Sequence, residues 1–246
     1  MGPDPQWCRM RRGGFRCRPG GERMRQRAAF TETIASQVRE FQPAFEAQVG
    51  PELAAVFARE QEDLRREGLP DGVARIGDPL PDAVLYAADG QAVSLADLLD
   101  SAAAILVFYR GSWCPYCNIA LQTYQRELLP VVEAFGTRLI AISPQAPERA
   151  ARAARDAGLY LDIYSDGGNR LAARLGIVTT PSADSMQARS ALGIDVVGSN
   201  MDRTAAIPYP AVVVADATGT IRLIDVRVDY TSRTETCDII DTLVAL

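Results

Sequence analysis

Ala103-Ala-Ile-Leu-Val-Phe-Tyr109, followed at once by Arg110-Gly-Ser-Trp-Cys-Pro-Tyr-Cys117, is the stretch on which the fold turns. The first seven residues are continuously apolar. They are far short of the ~18 residues of a membrane span. A run this short, without alternation, reads as a strand buried on both faces. After Cys117 the pattern changes period. Leu121, Tyr124, Leu128, Val131 and Val132 recur at helical steps to about Phe135, with Pro130 expected to kink the helix. A Cys-x-x-Cys therefore lies where a buried strand hands over to a helix.

Working outward, strands and helices alternate from Val73. Asp82–Tyr86 and Gln91–Leu95 flank Asp89-Gly90, a hairpin signal, and Ser94 can cap a short helix through Leu99. Arg138–Ser143 reads as a strand, Ala146–Gly158 as a helix, Leu161–Tyr164 as a strand, and Gly168–Leu175 as a short helix ended by Gly176. Residues 177–209 have no clear period and read as a surface insertion. Ala211–Ala215 is a buried strand, Asp216-Ala-Thr-Gly219 a turn, Thr220–Val228 a strand pairing back, and Glu235–Leu246 a closing helix. This order predicts an α/β domain over 73–246, a sheet with helices on both faces.

Two segments precede it. Residues 28–72 read as a helical extension. Phe30, Ile34, Val38, Phe41 and Phe45 form one apolar face, Pro43 interrupts, and Gly50-Pro51 opens a second helix faced by Leu53, Val56, Phe57 and Leu64. This pair is expected to pack on the main domain or to join two copies as a homodimer. Residues 1–27 carry eight Arg against Asp4 and Glu22, a local balance of +6, within a chain whose net charge is −5. They read as a disordered basic tail. The tail could touch nucleic acid. The favoured reading is a solvated tail, or an overcalled start with Met24 as the true one. It lacks the apolar region of a secretory signal, so a cytoplasmic, reducing compartment is expected.

Composition narrows the chemistry. Among 246 residues there is no histidine and no lysine; all 26 basic residues are Arg. Ser-His-Asp and Cys-His catalysis, His-ligated metals, lysine Schiff bases and phosphate-loop lysines are excluded. No Gly-rich dinucleotide fingerprint opens a helix, and no cofactor is expected. The five Cys become the informative residues.

Cys114 and Cys117 are the candidate catalytic pair. The first turn of a helix has unpaired amide donors and a partial positive charge. A thiolate there is stabilised by up to ~2 kcal/mol when partly buried, about one and a half pKa units. Arg110 adds a nearby cation, and no carboxylate lies between Asp100 and Glu127. Residues three apart share a helix face, so the sulfurs can meet, and Pro115 is tolerated in the first turn. Two duller readings compete. Buried Cys is a common core filler. Zinc needs four ligands, so it would have to recruit Cys8 and Cys17 or carboxylates. A redox dithiol is the reading adopted, with no metal. Cys237 is read as core, and Cys8 and Cys17 as incidental.

Gly77-Asp-Pro-Leu-Pro-Asp82, Asp89-Gly90 with Ser94-Leu95, Phe108-Tyr-Arg-Gly-Ser-Trp-Cys-Pro-Tyr-Cys117, Ile142-Ser-Pro144 and Pro210-Ala-Val-Val-Val-Ala-Asp216 with Gly219 together resemble the peroxiredoxin-like branch of the alkyl hydroperoxide reductase/thiol-specific antioxidant family. The resemblance covers roughly residues 73–230. Helices like 28–67 and the segment Asp229-Tyr-Thr-Ser-Arg-Thr-Glu235 also look typical of the branch. It implies a thioredoxin-like fold with a central mixed sheet.

The departures shape the site. The family carries Pro-x-x-x-Thr-x-x-Cys and a later Arg. Here the Pro position is Arg110, the Thr position Cys114, the peroxidatic position Cys117 and the later Arg position Pro210. The replacements are those of thioredoxin: Cys114 matches its attacking cysteine, Cys117 its resolving one, Pro210 its cis-proline and Trp113 the tryptophan before the dithiol. Arg110, Trp113, Pro115, Tyr116 and Pro210 are therefore expected to shape the site, with Trp113 and Tyr116 mainly covering it.

The resemblance implies a thiol-dependent antioxidant oxidoreductase that reduces peroxide through a Cys114/Cys117 dithiol–disulfide cycle, recharged by a thioredoxin-like reductant. The alternatives are a disulfide reductase with no useful peroxide chemistry, and a non-catalytic or zinc-binding thioredoxin-fold module.

Overall fold

A computed structural model describes residues 32–246. The basic tail and the start of the apolar face at Phe30 lie outside the described residues.

The predicted strand after Ala103 is β3 (Ala104–Phe108), with all five residues buried. It pairs parallel with β4 (Arg138–Ser143) and antiparallel with β8 (Ala211–Ala215). β5 (Asp162–Ser165) extends the parallel side, followed by the hairpin β1 (Val84–Tyr86) and β2 (Ala92–Ser94); β9 (Ile221–Val226) closes the other edge. The seven strands run in the order β2-β1-β5-β4-β3-β8-β9. β3 and β4 are joined through α4 (Pro115–Glu127) and α5 (Leu129–Phe135), and β4 and β5 through α6 (Pro147–Asp156). Parallel neighbours need such crossovers. The split between α4 and α5 falls where Pro130 predicts a kink.

Period-two alternation divides the core between two faces. Ile105 and Val107 of β3, with Leu139, Ala141, Val212 and Val214, face α4 and α10 (Thr236–Val244). Leu106 and Phe108, with Ile140, Ile142 and Val213, face α3 (Leu95–Leu99) and α7 (Arg170–Arg174). Ser94 caps α3 as predicted, its hydroxyl accepting the Asp97 amide at 3.0 Å.

The N-terminal helices are α1 (Ile34–Val49) and α2 (Pro51–Glu67). They pack on their own domain. Ile34 is buried in the α4 face of the core, and Val38, Phe41 and Leu64 pack against it. The Glu235 carboxylate accepts the Ile34 and Ala35 amides at 3.0 and 2.9 Å, placing an anion at the start of α1. Pro43 does not interrupt α1; the helix runs through it. An interior proline forfeits one backbone hydrogen bond. The packing of Phe41 and Phe45 on Tyr116, centroids 5.8 and 5.9 Å apart, holds the turns on either side.

Residues 177–209 are not a loose surface insertion. They form β6 (Val178–Thr179), α8 (Ala183–Ala191), α9 (Val196–Ser199) and β7 (Ile207–Pro208), the two strands pairing with each other. Ile177, Ala188, Val196 and Ile207 are buried. Their irregular period reflects short elements covered from several sides rather than one amphipathic face. Among the described residues no helix is long and apolar enough to cross a membrane.

Candidate active site

The chain leaves β3 at Phe108 and starts α4 at Pro115; six residues make the turn between them. Several bonds fix it. The Tyr109 amide donates to the Ile142 carbonyl at 2.9 Å and the Ser112 amide to Gln145 Oε1 at 2.7 Å. The Asn118 side-chain amide returns to the Ser112 carbonyl at 2.9 Å. Gly111 has φ +146° and lies under the Trp113 ring, where a Cβ would meet the indole nitrogen at 2.4 Å. Both conditions require glycine.

Cys114 is the N-cap residue of α4, Pro115 its first residue, and Cys117 completes the first turn. Cys114 is 1% exposed and Cys117 is fully buried. Both are free thiols. Burial alone would push the Cys114 thiol up. It is outweighed by the neighbouring Cys117 thiol, by the charges of Arg110 and Arg233, and by the Cys117 amide, so Cys114 sits well below the ordinary thiol range. Cys117 moves the opposite way. Burial and the neighbouring Cys114 sulfur with its charge hold it well above that range, and Arg233 and the Arg110 amide do not overcome them. One sulfur is thus poised as a thiolate and its neighbour as a protonated donor.

Arg233 completes the site from a distant part of the chain. Its Nη2 donates to Cys117 Sγ at 3.0 Å, and its Nη1 donates to the Tyr230 and Ser232 carbonyls at 2.7 and 2.6 Å. The segment Asp229–Glu235 was visible as part of the family pattern, but 116 residues separate the two partners and no local spacing joins them.

Arg110 is 4% exposed. Its guanidinium lies 3.9 Å from the Tyr230 ring centroid and 5.2 Å from that of Trp113. A cation held over ring faces is attracted by their quadrupoles. Tyr116 donates to Gln42 Oε1 at 2.7 Å and packs edge-on to Phe41 and Phe45. Its hydroxyl is pushed up to about 12, by burial and then by the Cys114 charge. It stays a neutral cover over the site at physiological pH.

Cys114 opens into a cavity of about 530 Å³ bounded by α1, α2, Trp113, Tyr116 and the end of α8. α8 is tied to α2 by a buried ion pair, Arg189 Nη2 to Glu60 Oε2 at 2.9 Å, and Arg189 also donates to the Ser185 hydroxyl. Burial of Glu60 raises its carboxyl, but the Arg189 bond and charge prevail and hold it below the usual range.

The expectation for Pro210 needs correction. The Tyr209–Pro210 bond is trans, and no cis peptide occurs among the described residues. Pro210 lines a separate cavity of about 260 Å³ beside Arg110 and Tyr230, not the one into which Cys114 opens. The backbone here continues in extended pairing. The Tyr209 amide donates to the Ile177 carbonyl at 2.7 Å, and the Pro210 carbonyl accepts the Arg227 amide at 2.9 Å. Cys237 is half-buried on α10, its sulfur 3.7 Å from Asp238 Oδ1, and lines neither cavity. Among the described residues no group of three or more His, Cys, Asp or Glu is placed to hold a metal.

A family model described as the AhpC/TSA family matches residues 76–224. No curated protein gives a significant match. Among solved structures, peroxidoxin BcpB from Mycobacterium tuberculosis is 17% identical, covering 70% of this chain and 97% of its own, with a TM-score of 0.53. A peroxiredoxin-like protein from Aquifex aeolicus is 15% identical, covering 70% and 87%, with a TM-score of 0.54. Reduced Prx3 from Vibrio vulnificus is 14% identical, covering 71% and 100%, with a TM-score of 0.56. These likenesses establish the fold.

Proposed function

The chain belongs to the AhpC/TSA family, and from that premise we propose that it is a thiol-dependent peroxidase in which Cys114 attacks and Cys117 resolves. The observation that carries the assignment of roles is geometric: Cys114 caps α4 and lines the cavity, whereas Cys117 is fully buried behind it; the lowered Cys114 and raised Cys117 thiols agree with it. The thiolate is the nucleophilic form.

The steps follow from these positions. The Cys114 thiolate attacks the terminal oxygen of the hydroperoxide; the S–O bond forms and the O–O bond breaks. The sulfur keeps the OH as a sulfenic acid. The departing alkoxide takes the Cys117 proton and leaves as the alcohol. The resulting Cys117 thiolate, with the Arg233 guanidinium beside it, attacks the Cys114 sulfur. The S–S bond forms and hydroxide departs, taking a solvent proton to become water. An external dithiol of the thioredoxin kind, in a reducing cytosol, returns the pair to the start by thiol–disulfide exchange.

A disulfide-reductase reading uses the same residues, because an N-capping Cys114 thiolate can attack a disulfide sulfur as readily as a peroxide oxygen. Stopped-flow oxidation separates the two. The peroxidase reading expects peroxide consumption orders of magnitude faster than free cysteine. Rates equal to free cysteine, with retained disulfide reduction, would replace it by the second reading.

A further inference from the structure

The family match begins at residue 76, so most of the wall facing Cys114 lies outside it. Phe41 and Phe45 of α1 and Phe57 of α2 line the cavity together with Tyr116 and Tyr230. Phe41 stacks on Phe45 at 5.6 Å, Phe45 lies 6.4 Å from Phe57, and Tyr116 presents its edge to both Phe41 and Phe45. Such a set offers faces and edges to a further ring.

Three polar groups in this cavity lack what their chemistry requires. Gln61 is 6% exposed, and neither its Nε2 nor its Oε1 has a hydrogen-bond partner. The Trp113 indole N–H is buried without an acceptor. The Arg110 guanidinium faces rings, and among the described residues it forms no ion pair within 4 Å. A buried amide left without partners is costly to the fold, and native proteins rarely keep one without a reason. The unfilled demand is for one donor and several acceptors at the polar end of an otherwise apolar ligand. A hydroperoxide group carries both a donor and acceptors, and Gln61, Trp113 and Arg110 line the cavity that Cys114 also lines.

We propose that the α1–α2 helical pair is the specificity element of this enzyme: its aromatic wall selects hydroperoxides bearing an aryl group over alkyl ones, and Gln61 holds the hydroperoxide head. The inference rests on the peroxidase reading above. The chemistry is the balanced sequence already written, with an aryl-substituted alcohol as the leaving product.

The test measures second-order oxidation of the reduced full-length chain by cumene hydroperoxide and by tert-butyl hydroperoxide, tertiary peroxides that differ by a phenyl group in place of a methyl. A hydrophobic pocket discriminates by about tenfold or more for a change of this size. The intact protein is expected to favour cumene hydroperoxide by at least that factor, and Phe45→Ala or the milder Phe57→Leu to bring the ratio close to one. Gln61→Leu is expected to slow both peroxides while raising the thermal midpoint by a few degrees, because the unpaired amide is gone. A merely structural Gln61 would not slow the reaction. A ratio near one in the intact protein, or a Gln61→Leu variant that is stabilised and equally fast, would overturn the proposal while leaving the peroxidase reading in place. Oxidation by both peroxides no faster than free cysteine would instead overturn the peroxidase reading, and the specificity claim with it.

Discussion

The Arg233 guanidinium donates to the Cys117 sulfur at 3.0 Å, from a segment 116 residues further along the chain. Its charge favours the thiolate on both cysteines. Arg233 enters from the loop before α10 and joins Arg110 as a second cation near the sulfurs.

Arg233→Gln should therefore raise the Cys114 thiolate midpoint. If the rise is about one unit, the acid limb of the pH–rate profile moves up by that unit, and on that limb the thiolate fraction and the peroxide rate fall by up to about tenfold. The deficit should shrink at pH 9, where the thiol ionises without help. A pH–rate profile checks this. A uniform loss across pH would mean that Arg233 only maintains the loop.

The Cys114 thiol itself should titrate below the ordinary value near 8.5, followed by thiolate absorbance in the Cys117→Ser variant against the Cys114→Ser, Cys117→Ser double variant. A depressed folded value means that the thiolate stabilises the reduced fold above the unfolded pKa, and that this contribution is lost as pH falls through the folded one. Reduced protein should accordingly gain stability over oxidised protein between acid and neutral pH. A midpoint at or above 8.5 would remove the electrostatic basis for Cys114 as attacker.

How far the sequence reveals this site depends on how local each feature is. The apolar run after Ala103, the Cys-x-x-Cys and the capping Ser94 are readable because their partners lie within one strand or one helical turn. Pro43 misleads because propensity is local, whereas Tyr116, on which Phe41 and Phe45 of α1 pack, sits on another helix. Pro210 misleads because family position says nothing about whether a peptide bond is cis. Glu60 and Gln61 stand in the polar run Arg59-Glu-Gln-Glu-Asp63, which looks solvated. They are buried because α8 folds over them, and 177–209 shows no periodicity from which that packing could be foreseen.

Breaking the Glu60–Arg189 pair tests that packing. Glu60→Gln leaves a buried guanidinium without its partner and should cost about 3–5 kcal/mol in urea unfolding at neutral pH. Glu60 has a lowered folded pKa. Its contribution is complete above the ordinary carboxyl value near 4.3 and is lost as pH falls through the lower folded one. The gap between wild type and variant should therefore narrow in acid. A gap that is constant with pH would assign the effect to shape rather than charge.

Gly111→Ala places a Cβ 2.4 Å from the Trp113 indole nitrogen at a φ of +146°. Strained backbone of this kind costs about 1–3 kcal/mol. Trp113 should be displaced from the site, seen as a shift in its fluorescence, and peroxide reactivity should fall even where the fold survives. Unchanged fluorescence and rate would show that the turn can relax without moving the ring.

The most direct test of the central claim is mass spectrometry of the Cys117→Ser variant after brief exposure to one equivalent of peroxide, with a sulfenic-acid trap present. The trapped adduct should sit on Cys114, and the same treatment of the intact chain should give a 114–117 disulfide. An unreactive Cys114 in that variant, together with a rapidly formed sulfenic acid on Cys117 in Cys114→Ser, would contradict the account and give the attacking role to Cys117.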